Sequence, residues 1–309
     1  MSLARQRAAA QLLDGGGPRD PADVVRHLLA VQAQDARAWP LALRARGVPA
    51  AGDSPDLGAR EDLVIAWLLR GTLHLVAATD RGWLLALTGH LATRHSARRL
   101  AELAVDPADT AVVLRALDDG PRTRPEVAAA LDAAGVRADG QRTPHLLALA
   151  SARGELVLGL DGRYRRAAPP SPVPDRDAAL AELARRYLRG HGPADARDLG
   201  AWSGLPLRDA RAGLTTIAGE LADAGDGLVA LADAPSAPGR PLPEILLPAF
   251  DPYLVGWRDR GFAVAPEHAR TVHPGGGIIR ATIVADGRVT GTWRRDRGRV
   301  VREPFARAG

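Results

Sequence analysis

One octapeptide pattern occurs three times in this chain and narrows the folds open to it. Gly17-Pro18-Arg19-Asp20-Pro21-Ala22-Asp23-Val24, Gly120-Pro121-Arg122-Thr123-Arg124-Pro125-Glu126-Val127 and Gly192-Pro193-Ala194-Asp195-Ala196-Arg197-Asp198-Leu199 all read G-P-x-[D/T]-x-x-[D/E]-[V/L]. A Gly-Pro pair turns the chain, Asp or Thr caps the next helix, and a carboxylate three residues on completes a capping-box-like start. A helical segment precedes each turn, over Leu3–Leu13, Thr110–Leu117 and Ala178–Leu188. Helix, tight turn and capped helix open a helix-turn-helix.

The middle copy runs to completion. Its second helix is expected over Glu126–Ala134 and its third over His145–Arg153, and "ELVLGLDGRYRRA" (155–167) reads as strand, Asp-Gly turn, strand. Three helices and a hairpin make a winged helix. The third copy has "GDGLVALAD" (225–233) as its wing; in the first, "REDLVIAWLLRG" (60–71) is expected to be the third helix and "TLHLVAA" (72–78) the wing strand. The rival is three unrelated helical hairpins in an all-α domain, and the hairpin at 155–166 argues against it.

Pro-rich stretches at 167–177 and 233–244 punctuate the chain as linkers. The expected fold is mainly α with small β-hairpins (α+β). It places winged-helix unit 1 at 1–105, unit 2 at 106–168, unit 3 at 176–232 and a basic C-terminal β-hairpin region at 241–309. In that last region Arg280, Arg288, Arg294, Arg295, Arg297, Arg299 and Arg302 crowd a short sheet around Trp293. Such a run is either a solvated face or a basic ribbon laid against the DNA backbone.

Length and composition fit this organisation. At 309 residues and 32.5 kDa the chain exceeds one compact core. No apolar run approaches the roughly 20 residues of a membrane span. The N-terminal "MSLARQRAAAQLLDGG" is a short basic amphipathic helix rather than a secretion signal, so a cytoplasmic protein is expected. Cysteine is absent, which excludes disulfides, thiolate nucleophiles and cysteine-based zinc sites. All 41 basic residues are Arg, and Lys and Asn are missing. Codon bias accounts for this, yet it leaves every cation a planar guanidinium able to fork onto phosphate. A net charge of +5 and a pI of 10.6 favour a nucleic-acid partner without deciding it. The eight His are scattered, and no HExxH, phosphate loop, dinucleotide fingerprint or nucleophile elbow occurs. No metal or other cofactor is expected.

Gln32 and Gln34 stand out against this background. The helix capped by Asp20 has its apolar stripe at Val24, Val25, Leu28 and Leu29, and helical spacing puts Gln32 on that stripe, pointing inward. An unpaired buried amide costs about 1–3 kcal/mol, so it needs a partner. Gln34 falls where Trp39 and Pro40 signal an end or bend, and joins Gln32 across it. The plainer alternative has Gln32 bonded to a backbone carbonyl and Gln34 exposed.

Four stretches in register, "LLAVQAQDARAWPLALRARG" (28–47), "LRGTLHLVAATDRGWLLALTG" (69–89), "ILLPAFDPYLVGWRDR" (245–260) and "ADGRVTGTWRR" (285–295), make the chain resemble the AlkZ/YcaQ family of bacterial DNA glycosylases, the helix-turn-helix 42 superfamily. The resemblance covers about residues 3–303. It implies three tandem winged helices around a concave basic surface for duplex DNA. Gln32-Ala33-Gln34 matches the family's Q-Φ-Q motif, with Asp35 just outside it, which makes Gln32 and Gln34 the expected catalytic residues. The implied activity is monofunctional hydrolysis of N7-alkylated purines, extending to bulky adducts or interstrand crosslinks from a genotoxic natural product, by a monomer acting on double-stranded DNA. Strand alternation puts Thr72 and His74 on one face of "TLHLV" and leaves His74 towards the concave side or solvent. The resemblance makes these two, with Arg280, Arg288, Trp293, Arg294 and Arg295, the expected DNA contacts; the alternative for His74 is an exposed wing residue. Asp251 is expected to cap a helix or pair with Arg258 or Arg260. A winged-helix transcriptional regulator without catalytic activity is the rival function, although regulators normally dimerise on a palindrome.

Overall fold

The computed structural model describes residues 2–49, 60–168 and 174–306; residues 169–173 of the expected linker lie outside these. The chain opens with α1 (Leu3–Ala10) and α2 (Pro21–Leu28), the two-residue strand β1 (Val31–Gln32), and α3 (Ala38–Ala45). Strands β2 (Leu63–Trp67) and β3 (Leu73–Ala77) lead into α4 (Ala78–Glu102), 25 residues long. A second group has α5 (Thr110–Ala116), α6 (Arg124–Ala133), α7 (Arg142–Ala152), β4 (Leu156–Leu158) and β5 (Tyr164–Arg166). A third has α8 (Arg176–His191), α9 (Ala196–Ser203), α10 (Leu207–Thr216), β6 (Leu221–Asp223) and β7 (Val229–Leu231). The C-terminal region contains β8 (Ile245–Leu247), α11 (Pro252–Val255), α12 (Ala269–Val272), β9 (Thr282–Ala285), β10 (Arg288–Asp296) and β11 (Arg299–Pro304).

The three repeated turns cap helices as their chemistry requires. The Ala22 amide donates to Asp20 Oδ1 at 2.7 Å, and the Asp198 amide donates to Asp195 Oδ1 at 2.7 Å. Thr123 and Glu126 close a full capping box, at 3.4 and 2.6 Å. The third carboxylate of the pattern diverges: Asp198 is buried, accepts from the Arg258 amide and pairs with Arg7 at 3.0 Å.

Two expectations fail locally. "REDLVIAWLLRG" is not a helix; its Leu63–Trp67 segment is β2, hydrogen-bonded to β3 on one side and to β4 on the other. An unbroken apolar run containing Val64 and Ile65 suits a strand flanked on both edges as well as it suits a buried helix. The helix from Asp20 also stops early. It ends at Leu28, because Leu29 takes a left-handed φ of 66°, and Gln32 therefore sits in a strand.

The strands form a five-stranded sheet in the order β1-β3-β2-β4-β5, a four-stranded sheet β11-β10-β9-β8 and the pair β6-β7. The first sheet thus joins the hairpins of the first two repeats. One apolar core fills the space between α2, α3 and that sheet, and a second fills the α5–α7 bundle. The largest core gathers α4, α8, α9 and the C-terminal region around Tyr187, Trp202, Tyr253 and Trp257.

Candidate active site

The site grows from the end of α2. Once Leu29 has broken the helix, the chain enters β1 and pairs antiparallel with β3, Val31 opposite Leu75 and Gln32 opposite His74. The Ala33 amide extends the ladder by donating to the Leu73 carbonyl at 2.9 Å. Strand alternation sends Val31 and Ala33 into the same apolar core as Leu73 and Leu75, so Gln32 emerges on the opposite face beside His74. Gln32 is half-buried, and its Oε1 is buried without a hydrogen-bond partner in the protein. Gln34 is exposed, and its Oε1 accepts from the Leu73 amide at 3.2 Å. Asp35 plays a different part: its Oδ1 accepts from the amide of Arg37 at 2.9 Å and ties the bend before α3.

His74 does not face solvent. All five β3 residues are buried, since the strand lies between β1 and β2 and is covered on both faces, and His74 is 1% exposed. Its Nδ1 donates to the Thr72 carbonyl at 3.0 Å, which leaves Nε2 as the lone-pair nitrogen. Burial, reinforced by the nearby Arg70 charge, pulls the imidazole down to about 3, so the ring is neutral throughout the physiological range. Arg70 carries no signal in the sequence. It holds a left-handed φ of 54°, donates to the Trp202 carbonyl, and is lowered to about 10 by burial.

Gln34 and Thr72 open onto a cleft of about 700 Å³, whose other walls include Trp67, Ser96 and the first turns of α6 and α7. Gln32, Gln34, Thr72 and His74 are neighbours at one end of the β1–β3 ladder, where Gln34 and Thr72 line the cleft and Gln32 and His74 do not. The C-terminal residues do not join them: none of Arg280, Arg288, Trp293, Arg294 or Arg295 lines this cleft. Trp293 is 9% exposed and donates from Nε1 to the Leu247 carbonyl at 2.8 Å, which ties β10 to β8. The four arginines are exposed, and Arg294 pairs with Glu303 at 3.1 Å.

Asp251 caps α11, its Oδ1 accepting from the Tyr253 amide at 2.9 Å. Its ionic partner is neither Arg258 nor Arg260. Arg46 forks onto it, Nη2 to Oδ1 at 2.8 Å and Nη1 to Oδ2 at 3.0 Å, with both side chains fully buried. Arg46 also donates to Gln11 Oε1 at 2.8 Å and to the Ala42 carbonyl at 2.8 Å. A partner 205 residues away leaves no local spacing signal.

Among the described residues no group of three or more His, Asp or Glu is placed to hold a metal ion, and no helix is long and apolar enough to cross a membrane.

The model of the AlkZ-like DNA glycosylase family matches residues 25–307. The chain belongs to that family. It is a DNA glycosylase, and the non-catalytic regulator is set aside. The solved Streptomyces sahachiroi DNA glycosylase AlkZ is similar to it with a TM-score of 0.76 and 26% identity, over 99% of this chain and 90% of that one. No curated protein matches the chain. The family places the Gln32-Ala33-Gln34 strand in a DNA-repair hydrolase with a DNA substrate.

Proposed function

We propose that this glycosylase hydrolyses the N-glycosidic bond of N7-alkylated purines in duplex DNA. Its substrates include bulky adducts and interstrand crosslinks left by a genotoxic natural product, in self-resistance or base excision repair, and it acts as a monomer without a cofactor. The observation that carries this reading is an amide pair where a glycosylase would otherwise need a titrating acid or base. Among the described residues, the titratable side chain paired with the motif is His74, held neutral inside the sheet.

N7 alkylation makes the purine cationic. When C1′–N9 breaks, its electron pair neutralises the base, and the leaving group requires no proton. The remaining task is to hold a water near C1′ and to stabilise positive charge on the sugar, which an amide carbonyl does through partial charge and fixed geometry. The oxygen of that water bonds to C1′, and its proton passes to solvent. The motif alone favours Gln34 as the water-holding group with Gln32 in support. The hydrogen bonds favour the reverse: Gln34 spends its carbonyl on the Leu73 amide, while the Gln32 carbonyl is uncommitted. Gln32 then orients the water, and Gln34 and Thr72 set the approach of the lesion. Arg280, Arg288, Arg294 and Arg295 supply phosphate contacts from the C-terminal sheet, whereas the burial of Trp293 argues against its use as a DNA contact.

The test is a duplex with one N7-methylguanine, incubated with wild type, Gln32→Ala or Gln34→Ala, then heated in alkali and resolved on a denaturing gel. Wild type is expected to yield a break at the lesion, with a loss of about 10²-fold in rate for Gln32→Ala and a smaller loss for Gln34→Ala. Full activity in both variants would remove the glutamines from the reaction.

A further inference from the structure

The turn between β2 and β3 carries a guanidinium close to the glutamine motif with no carboxylate to balance it. The Leu68 amide closes that turn by donating to the Thr72 carbonyl at 3.0 Å, and Arg70 takes a left-handed backbone inside it. A non-glycine residue in that region is uncommon, and such residues gather at ligand sites. Arg70 is fixed there by α9. Gly204 ends that helix, and a Cβ on it would meet the Arg70 Cα at 3.1 Å; the Arg70 side chain donates to the Trp202 carbonyl in the helix's last turn. Arg260 is held in the same manner, its Nε donating to the Leu254 carbonyl of α11. Both border one aromatic cluster, in which Trp202 and Trp257 lie 5.1 and 5.3 Å from the His191 ring, and the charge of Arg260 bears on Arg70. Among the described residues neither arginine forms an ion pair. Asp259, next to Arg260 in the chain, is exposed and accepts from the Gly261 amide instead.

A helix C-terminus supplies about half a negative charge, so two helix ends do not neutralise two guanidiniums. The imbalance matters at this place. Arg70 lies near enough to His74, opposite Gln32, to oppose its protonation. Breaking an N-glycosidic bond puts positive charge on the sugar, and uncompensated guanidiniums beside it would oppose that charge. We infer that Arg70 and Arg260 together bind one phosphodiester of the lesion strand, next to the sugar under attack. Each guanidinium engages one carbonyl, and its remaining donors take the phosphate oxygens. The phosphate neutralises the pair and fixes C1′ relative to Gln32. The inference rests on placing the reaction at Gln32 and holds whichever base is released.

The experiment measures Kd for a duplex bearing one tetrahydrofuran abasic analogue, with the phosphates on either side of it native or replaced singly by a neutral methylphosphonate. Wild type, Arg70→Gln, Arg260→Gln and Arg70→Lys are compared. Wild type is expected to lose about tenfold in affinity at one flanking position, the scale of a charged hydrogen bond. Each Gln variant is expected to bind the native duplex about as weakly and to lose nothing further at that position, while Arg70→Lys keeps part of the sensitivity. Arginines with a purely structural role would lower affinity equally on native and methylphosphonate duplexes, and that additive result would overturn the phosphate site. So would a wild type insensitive at both positions, a result that needs no variant to fold. The analogue has no base, so failure to release N7-methylguanine would strike the proposed substrate and leave this site standing.

Discussion

The Gln32 carbonyl has no hydrogen-bond partner within the protein, and on the proposed reading it is the group that holds the reacting water. On the proposed reading, a neutral His74 opposite Gln32 neither competes for the carbonyl nor repels a cationic base. Elsewhere a single residue bears on the whole fold. Removing Asp251 would leave the Arg46 guanidinium buried and uncompensated. Asp251→Ala is therefore expected to destabilise the protein by about 3–5 kcal/mol, measured as a fall in the urea unfolding midpoint. An Asp251 variant of wild-type stability would show that the Arg46 pair is dispensable. Neither Asp251's partner nor Arg70's burial was legible in the sequence, because both are set by contacts between distant segments.

At the level of elements, the three capped helices were readable because a cap is a local exchange among four residues. Asp195 illustrates this, and Asp195→Ala is expected to cost about 1 kcal/mol through the lost bond to the Asp198 amide, with glycosylase activity retained. A thermal melt beside the gel assay checks both halves. The helices of the second repeat and its hairpin were equally plain, since the period of apolar residues and the Asp161-Gly162 turn agree there. The two misread segments share one cause. Leu63–Trp67 is apolar throughout, so periodicity does not separate helix from strand, and only its pairing with β3 and β4 does. Gln32 fell on a helical stripe in the sequence because nothing nearby announces that Leu29 turns left-handed. The stripe placed it with Val25 and Leu28; in the strand it lies on the face opposite the core that holds them, half-buried with its Oε1 enclosed. The motif itself was legible through its family resemblance, and its division of labour became visible only with the Leu73 hydrogen bond in place.

Across the whole molecule, burial of neutral histidines couples folding to pH. His74 and His191 are both lowered to about 3, first by desolvation, and His27 is lowered for the same reason. A group whose folded pKa lies below its unfolded one takes up its proton more readily when unfolded. Stability from these residues is therefore complete above about pH 6.5 and is lost as pH falls from there towards 3. Two such groups give a slope of about 2.7 kcal/mol per pH unit near pH 5. Urea unfolding at pH 7.5, 6 and 5 is expected to show a fall across both intervals, more than twice as steep per pH unit across the second; a pH-independent midpoint would contradict the buried neutral state. Catalysis should follow a different course, because the groups assigned to it do not titrate. The most direct measurement is the single-turnover rate of N7-methylguanine release from pH 6 to 9, for wild type and Gln32→Ala. Glutamine-held water predicts a flat wild-type profile, with the variant flat and lower by about 10²-fold. A limb with its midpoint inside that range, or a variant rate equal to wild type, would contradict hydrolysis by the glutamine pair.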